Sequence, residues 1–129
     1  MKTKYLHTMI RVGNLQKAIE FYTRILGFEH VRTTEHADGK FSLAFLKIEG
    51  AESPCLELTY NWGVENYDLG KGYGHMAFAV PSMSEFAQHI AKQGVAFSWG
   101  PSTSPSGDSG MAFLKDPDGY SIEILSEKA

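Results

Sequence analysis

The sequence predicts an α+β fold in which one module of strand, helix and further strands is written twice. Three observations carry that expectation. First, the segments "HTMIRVGNLQKAIEFYTRILGFEHVR", "FSLAFLKIEG" and "CLELTYNW" are followed, in the same order of types, by "HMAFAVPSMSEFAQHIAKQGVAFSW", "GMAFLKD" and "YSIEIL". Second, the spacing repeats: His7 to Gly27 is 20 residues and His75 to Gly94 is 19, while His7 to Glu57 is 50 and His75 to Glu123 is 48. Third, each half opens its first strand with a histidine and carries a glutamate in its last.

In chain order, "HTMIRV" reads as a strand by its β-branched, alternating residues. A helix is expected over Leu15 to Leu26, because Leu15, Ala18, Ile19, Tyr22, Ile25 and Leu26 fall at helical spacing. Asn14 is placed to cap its start and Gly27 to stop it. "FSLAFLKIEG" and "CLELTYNW" follow as strands, and the glycine-rich, polar "GVENYDLGKGYG" reads as the linker between halves. After the strand "HMAFAV", Ser82 with Glu85 three residues on has the capping-box pattern, and Met83, Phe86, Ala87 and Ile90 make an apolar stripe ended by Gly94. "WGPSTSPSGDSG" reads as a loop before the strand "GMAFLK", and "DPDG", Asp116 to Gly119, as a tight turn feeding the last strand.

The totals fit a single domain over 1–129, with module one at about 5–62 and module two at about 73–126. With 43% hydrophobic and 21% charged residues the chain has the composition of a soluble globular protein. No apolar run approaches the roughly 20 residues that span a bilayer, and "MKTKYLHTMI" has no signal-peptide pattern, so no membrane partner is expected. The lone cysteine, Cys55, excludes an intramolecular disulfide and fits a reducing, cytoplasmic setting. A net charge of -3 without a basic run gives no support for nucleic-acid binding.

The faces of the strands hold the functional signal. Residues two apart on a strand share a face. His7, Met9 and Arg11 therefore oppose Thr8, Ile10 and Val12, and Glu57, Thr59 and Asn61 oppose Leu56, Leu58 and Tyr60. In the second half His75, Ala77 and Ala79 oppose Met76, Phe78 and Val80, and Glu123 with Ser121 opposes Ile122 and Ile124. An isolated carboxylate such as Glu57 is costly to bury without a partner. A strand histidine taken singly is more often a hydrogen-bonded structural residue. Two imidazoles and two carboxylates in matched pairs, on faces that include Met9, Ala77 and Ala79, instead imply a cleft wall with ligands for a divalent metal. His30, His36 and His89 have no counterparts and are expected to be solvated. Cys55 has no second thiolate with which to build a cysteine zinc site.

On "LHTMIRVGNLQKAIEFYTRILGF", "LELTYNWGVENYDLG", "YGHMAFAV" and "FLKDPDGYSIEIL", which cover most of the chain, the sequence resembles the lactoylglutathione lyase (glyoxalase I) family, short bacterial type, within the vicinal oxygen chelate superfamily. The resemblance implies two βαβββ modules and an eight-stranded half-barrel cleft assembled across a homodimer. It implies that His7 and Glu57 of one chain meet His75 and Glu123 of the other around one divalent metal per site. Arg11, Asn61 and His75 match substrate-binding positions, Glu123 the acid–base residue, and Glu57 a ligand able to serve as a second base. The implied reaction converts the hemithioacetal of methylglyoxal and glutathione to S-D-lactoylglutathione, with glutathione as co-substrate. The short chain resembles the nickel-activated group, with cobalt or zinc as alternatives.

One departure stands out. The family commonly carries a basic residue near the substrate carboxylate in the segment before "GMAFLK", and "WGPSTSPSGDSG" has none. Lys71, in the linker, is the candidate substitute. Two other readings stay open at this point: an acyl-CoA epimerase of the same superfamily, and a metal-free small-molecule binding protein. A ring-cleaving dioxygenase, which needs two histidines and one carboxylate on iron, is disfavoured by the fourth ligand, Glu57.

Overall fold

The computed structural model describes residues 1–106 and 109–128. Two compact units divide the chain between Asp68 and Leu69, inside the segment read as a linker. Each is a βαβββ module: β1 (Thr8–Arg11), α1 (Leu15–Arg24), β2 (Glu29–His36), β3 (Phe41–Lys47) and β4 (Leu56–Asn61), then β5 (His75–Val80), α2 (Met83–Lys92), β6 (Trp99–Thr103), β7 (Gly110–Lys115) and β8 (Ser121–Ser126).

Both modules build the same four-stranded mixed sheet. The strand orders are β1-β4-β3-β2 and β5-β8-β7-β6. In each, the first strand pairs in parallel with the last and the other pairs are antiparallel. The parallel pair requires a long connection, which the helix and the two intervening strands together supply. The expected α+β class and the duplicated module are therefore what the chain forms.

The cores follow the alternation. In module one, Ile10, Val12, Ala44, Leu46, Leu56 and Leu58 pack with Ala18, Ile19, Phe21 and Tyr22 of α1, all buried. In module two, Ala112, Leu114, Ile122 and Ile124 pack with Met83, Phe86 and Ile90 of α2. The caps also hold. The Asn14 side chain accepts a hydrogen bond from the Lys17 N–H at 3.0 Å, and Ser82 accepts from the Glu85 N–H at 3.4 Å.

Two expectations are corrected. The first helix ends at Arg24, with Ile25 as its C-cap, rather than running to Leu26; the chain then turns through Gly27 at φ 77°. The segment read as a loop contains a strand: Trp99–Thr103 is β6, pairing with β7 through Trp99–Phe113, Ser102–Met111 and Thr103–Gly110. Its Gly-Pro pair does not prevent this, because β6 is an outer strand with a register shift between Trp99 and Ser102, where a proline is tolerated. Gly107 and Asp108 of the same segment, and Ala129, lie outside the described residues.

Candidate active site

Cross-strand register shows which side chains share a face. In module one, Met9 pairs with Glu57, Glu57 with Phe45, and Phe45 with Arg32, a row running across all four strands. The next row is Arg11, Thr59, Leu43 and Thr34, and beyond it stand Asn61, Phe41 and His36. In module two the row equivalent to the first is Ala77, Glu123, Phe113 and Trp99, followed by Ala79, Leu125, Met111 and Ser102. These faces are opposite to the buried apolar ones, as alternation requires.

Each module brings one histidine to one glutamate. His7, just before β1, places Nε2 3.7 Å from Glu57 Oε1. His75, the first residue of β5, places Nε2 3.5 Å from Glu123 Oε1. Both glutamate side chains are 16% exposed, while the histidines are more open. This answers what accompanies Glu57 within the sheet: an imidazole, too far for the usual hydrogen-bond range of about 2.7–3.2 Å. Two donors that each reach one ion at about 2.0–2.2 Å stand roughly 3–4 Å apart, so both pairs have the separation of co-ligands. The imidazole and carboxylate donors also suit first-row divalent ions. A pair alone is a weak site, and among the described residues no group of three or more His, Cys, Asp and Glu side chains forms a metal-binding cluster.

Aromatic walls accompany the pairs. The Phe45 ring meets His7 edge-on at 6.5 Å, and Phe113 meets His75 edge-on at 5.4 Å. Sequence reasoning passed over both phenylalanines, although "AFLK" occurs at 44–47 and again at 112–115. The outer end of each row differs. The Arg32 guanidinium lies 4.1 Å from the centre of the Phe45 ring, a cation–π arrangement, whereas the Trp99 indole meets Phe113 at 6.0 Å.

The remaining candidates are placed as follows. Arg11 and Asn61 lie on the same face as Glu57, in successive rows. The Asn61 Nδ2 donates to the Tyr67 hydroxyl at 2.9 Å. Lys71 is exposed in a turn of the connecting segment. Cys55 is a half-buried free thiol. His30 and His89 are exposed, as expected, and His30 Nε2 is paired with the Thr33 hydroxyl at 2.7 Å. His36, expected to be merely solvated, is exposed but stacks on Phe41 at 4.7 Å and pairs with the Thr34 hydroxyl at 3.0 Å, on the face that carries Asn61. Its signal was one of register alone.

The comparisons agree with this architecture. Residues 4–124 match the family model described as the Glyoxalase/Bleomycin resistance protein/Dioxygenase superfamily. A lactoylglutathione lyase of Shigella flexneri is 44% identical over 126 residues, covering 97% of this chain and 93% of the relative. The trypanothione-dependent glyoxalase I of Leishmania major superposes with a TM-score of 0.83 at 41% identity, covering 98% of this chain and 88% of that one. Glyoxalase I of Zea mays superposes with a TM-score of 0.86 at 36% identity over 98% of this chain and 45% of its own. With its duplicated βαβββ module and its matched His–Glu pairs, the chain belongs to the glyoxalase/bleomycin resistance protein/dioxygenase superfamily.

Proposed function

We propose that this protein is a metal-dependent lactoylglutathione lyase. It isomerises the hemithioacetal of methylglyoxal and glutathione to S-D-lactoylglutathione and so detoxifies methylglyoxal. The observation that carries the reading is the doubled pair: His7 with Glu57 and His75 with Glu123, each at co-ligand separation beside a phenylalanine. The likeness to lyases of this name over nearly the whole chain supports the same activity. Among the described residues each module brings two such donors together, and in this reading the site is completed in a homodimer, as the family resemblance implies, with His7 and Glu57 of one chain and His75 and Glu123 of the other lining one half-barrel cleft. Nickel is the ion we assign, with cobalt and zinc as the alternatives, and the setting is cytoplasmic.

His7, Glu57, His75 and Glu123 would hold a divalent ion, which when bound would supply the positive charge that makes the substrate's carbon-bound proton more acidic. The protein does the rest. The Glu123 carboxylate takes the proton from the carbon bearing sulfur and returns it to the neighbouring carbon. The first carbon becomes the thioester carbonyl as its hydroxyl proton leaves; the second becomes the alcohol as its oxygen gains one. Atoms and electrons balance without a co-reactant. Glu57, equivalent in the other module, stands as a second base. His75, whose side chain is more exposed than that of Glu123, would meet the substrate as well as the ion. Arg11 and Asn61 bind the polar thiol, whose carboxylates need a cation and hydrogen-bond partners. Sulfur-side binding of this kind positions the reacting carbons before any proton moves.

The test is thioester formation by metal-stripped protein reconstituted separately with nickel, cobalt and zinc. Strong activity with nickel or cobalt and little with zinc is expected, and Glu123→Gln should abolish it while metal still binds. Turnover with zinc alone overturns the assignment of the ion. A protein that binds metal and substrate analogue but makes no thioester overturns the activity, and epimerisation of an acyl-CoA becomes the reaction to assay.

A further inference from the structure

We propose that Tyr67 is a positioning residue that fixes the Asn61 amide for the amino-acid end of the thiol substrate. This inference rests on the proposed function, because it concerns the grip on the same ligand. Asn61 ends β4, two rows beyond Glu57, and its side chain is half-buried. The terminal torsion of an asparagine is broad, so the amide has no preferred orientation unless a partner holds it. Tyr67 provides that partner: its hydroxyl oxygen accepts from Asn61 Nδ2 at 2.9 Å. With one N–H committed, the amide offers its carbonyl oxygen and one further N–H to a ligand. A γ-glutamyl thiol ends in an ammonium, which donates, and a carboxylate, which accepts. The two free amide positions match those two groups, and Arg11, in the adjacent row, adds a cation for the carboxylate.

The chain between Asn61 and Tyr67 is built to hold the hydroxyl at a fixed height. The Val64 N–H donates to the Asn61 carbonyl at 3.0 Å, and the Gly63 N–H donates to the Tyr60 hydroxyl at 3.1 Å. Gly63 takes φ 83°, the left-handed region in which glycine is favoured. Further along, the backbone at Glu65 lies directly on Gly13, between β1 and α1: a Cβ added to Gly13 would stand 1.9 Å from the Glu65 carbonyl oxygen. That contact is backbone on backbone, so a side chain there is accommodated only if the segment lifts. The segment is thus held at Gly63, Val64 and Glu65, two residues before Tyr67, so that main-chain geometry as well as its own packing brings the tyrosine to Asn61.

A double-mutant cycle tests this. The readouts are calorimetric affinity for S-hexylglutathione and, separately, KM and kcat for the hemithioacetal. Tyr67→Phe keeps the ring and removes the acceptor, and should weaken S-hexylglutathione and raise KM about three- to tenfold, the size of one hydrogen bond, with kcat unchanged. Asn61→Ala should weaken binding at least as much. In the Asn61→Ala background, Tyr67→Phe should add nothing, because the tyrosine acts through the amide. Gly13→Ala, which lifts the segment at a distance, should move affinity in the same direction as Tyr67→Phe. Unchanged affinity in Tyr67→Phe, or full additivity with Asn61→Ala, overturns the inference while wild-type binding and turnover leave the proposed function standing. A folded wild type that neither binds S-hexylglutathione nor turns over the hemithioacetal removes both.

Discussion

If each site takes one pair from each of two chains, two dead variants should rescue one another. His7→Ala removes a ligand from the first pair and His75→Ala from the second, each leaving its glutamate partner in place. Alone, both variants lose activity, because every site of a symmetric dimer then lacks one ligand. In a mixed dimer the two defects fall together in one site and the other site is complete. One of two sites works, and random re-pairing makes half of the dimers mixed, so an equimolar mixture should recover about one quarter of wild-type activity. The assay is thioester formation after co-refolding, with mixed dimers counted by mass spectrometry and metal measured as one tightly held ion per mixed dimer. A mixture of His7→Ala and Glu57→Ala, which damage the same pair, serves as control and should recover nothing. Mixed dimers without rescue would refute the cross-chain site, since a site within one chain carries a defect in every combination. Full activity in a monomer would refute it equally.

Two other outcomes follow from the geometry of module two. Asp116 is buried, and its Oδ1 accepts from the Asp118 and Tyr120 N–H groups, both at 2.9 Å. Asp116→Ala removes the acceptor of both donors and should cost at least about 1–3 kcal/mol in denaturant unfolding, the penalty for the buried Tyr120 N–H alone, whereas Asp116→Asn keeps an oxygen and costs less. A loss below about 1 kcal/mol would show the turn to be held by other contacts. The Tyr73 phenol is pushed above its ordinary value of 10.0, first by burial and then by the Asp116 carboxylate and Tyr120. Its contribution to stability is fully present below the unfolded value and is lost as pH rises through the raised folded one. Melting temperature should therefore fall through that alkaline window in wild type and fall less in Tyr73→Phe; identical alkaline limbs would contradict the shift.

The His–Glu pairs were legible because two periodicities coincide: strands alternate every second residue, and the module repeats. The cores were legible for the same reason, since Leu56 and Leu58, like Ile122 and Ile124, are apolar where the face demands it. What escaped lacked a periodic signature. β2, "EHVRTTEH", is exposed along nearly its whole length, so burial left no pattern and only pairing with β3 makes it a strand. β6 was hidden by Gly100 and Pro101, which punctuate a loop as readily as an outer strand. His36 and Arg32 acquire meaning only through register with Phe41 and Phe45. The Tyr67 contact spans a glycine-punctuated segment, where hydrogen-bond partners follow from main-chain turns and not from residue type.

The two copies of the module have parted company outside the residues they share. The face of module one carries Arg11, Arg32, Thr34, His36 and Asn61; that of module two carries Ala77, Ala79, Trp99, Met111 and Leu125. The charged and amide side chains thus fall on the first face and the second is mainly apolar, with the common His, Glu and Phe retained in both. If the first face grips the thiol, as proposed, exchanges there alter which charged handle is held while the His, Glu and Phe common to both modules stay in place.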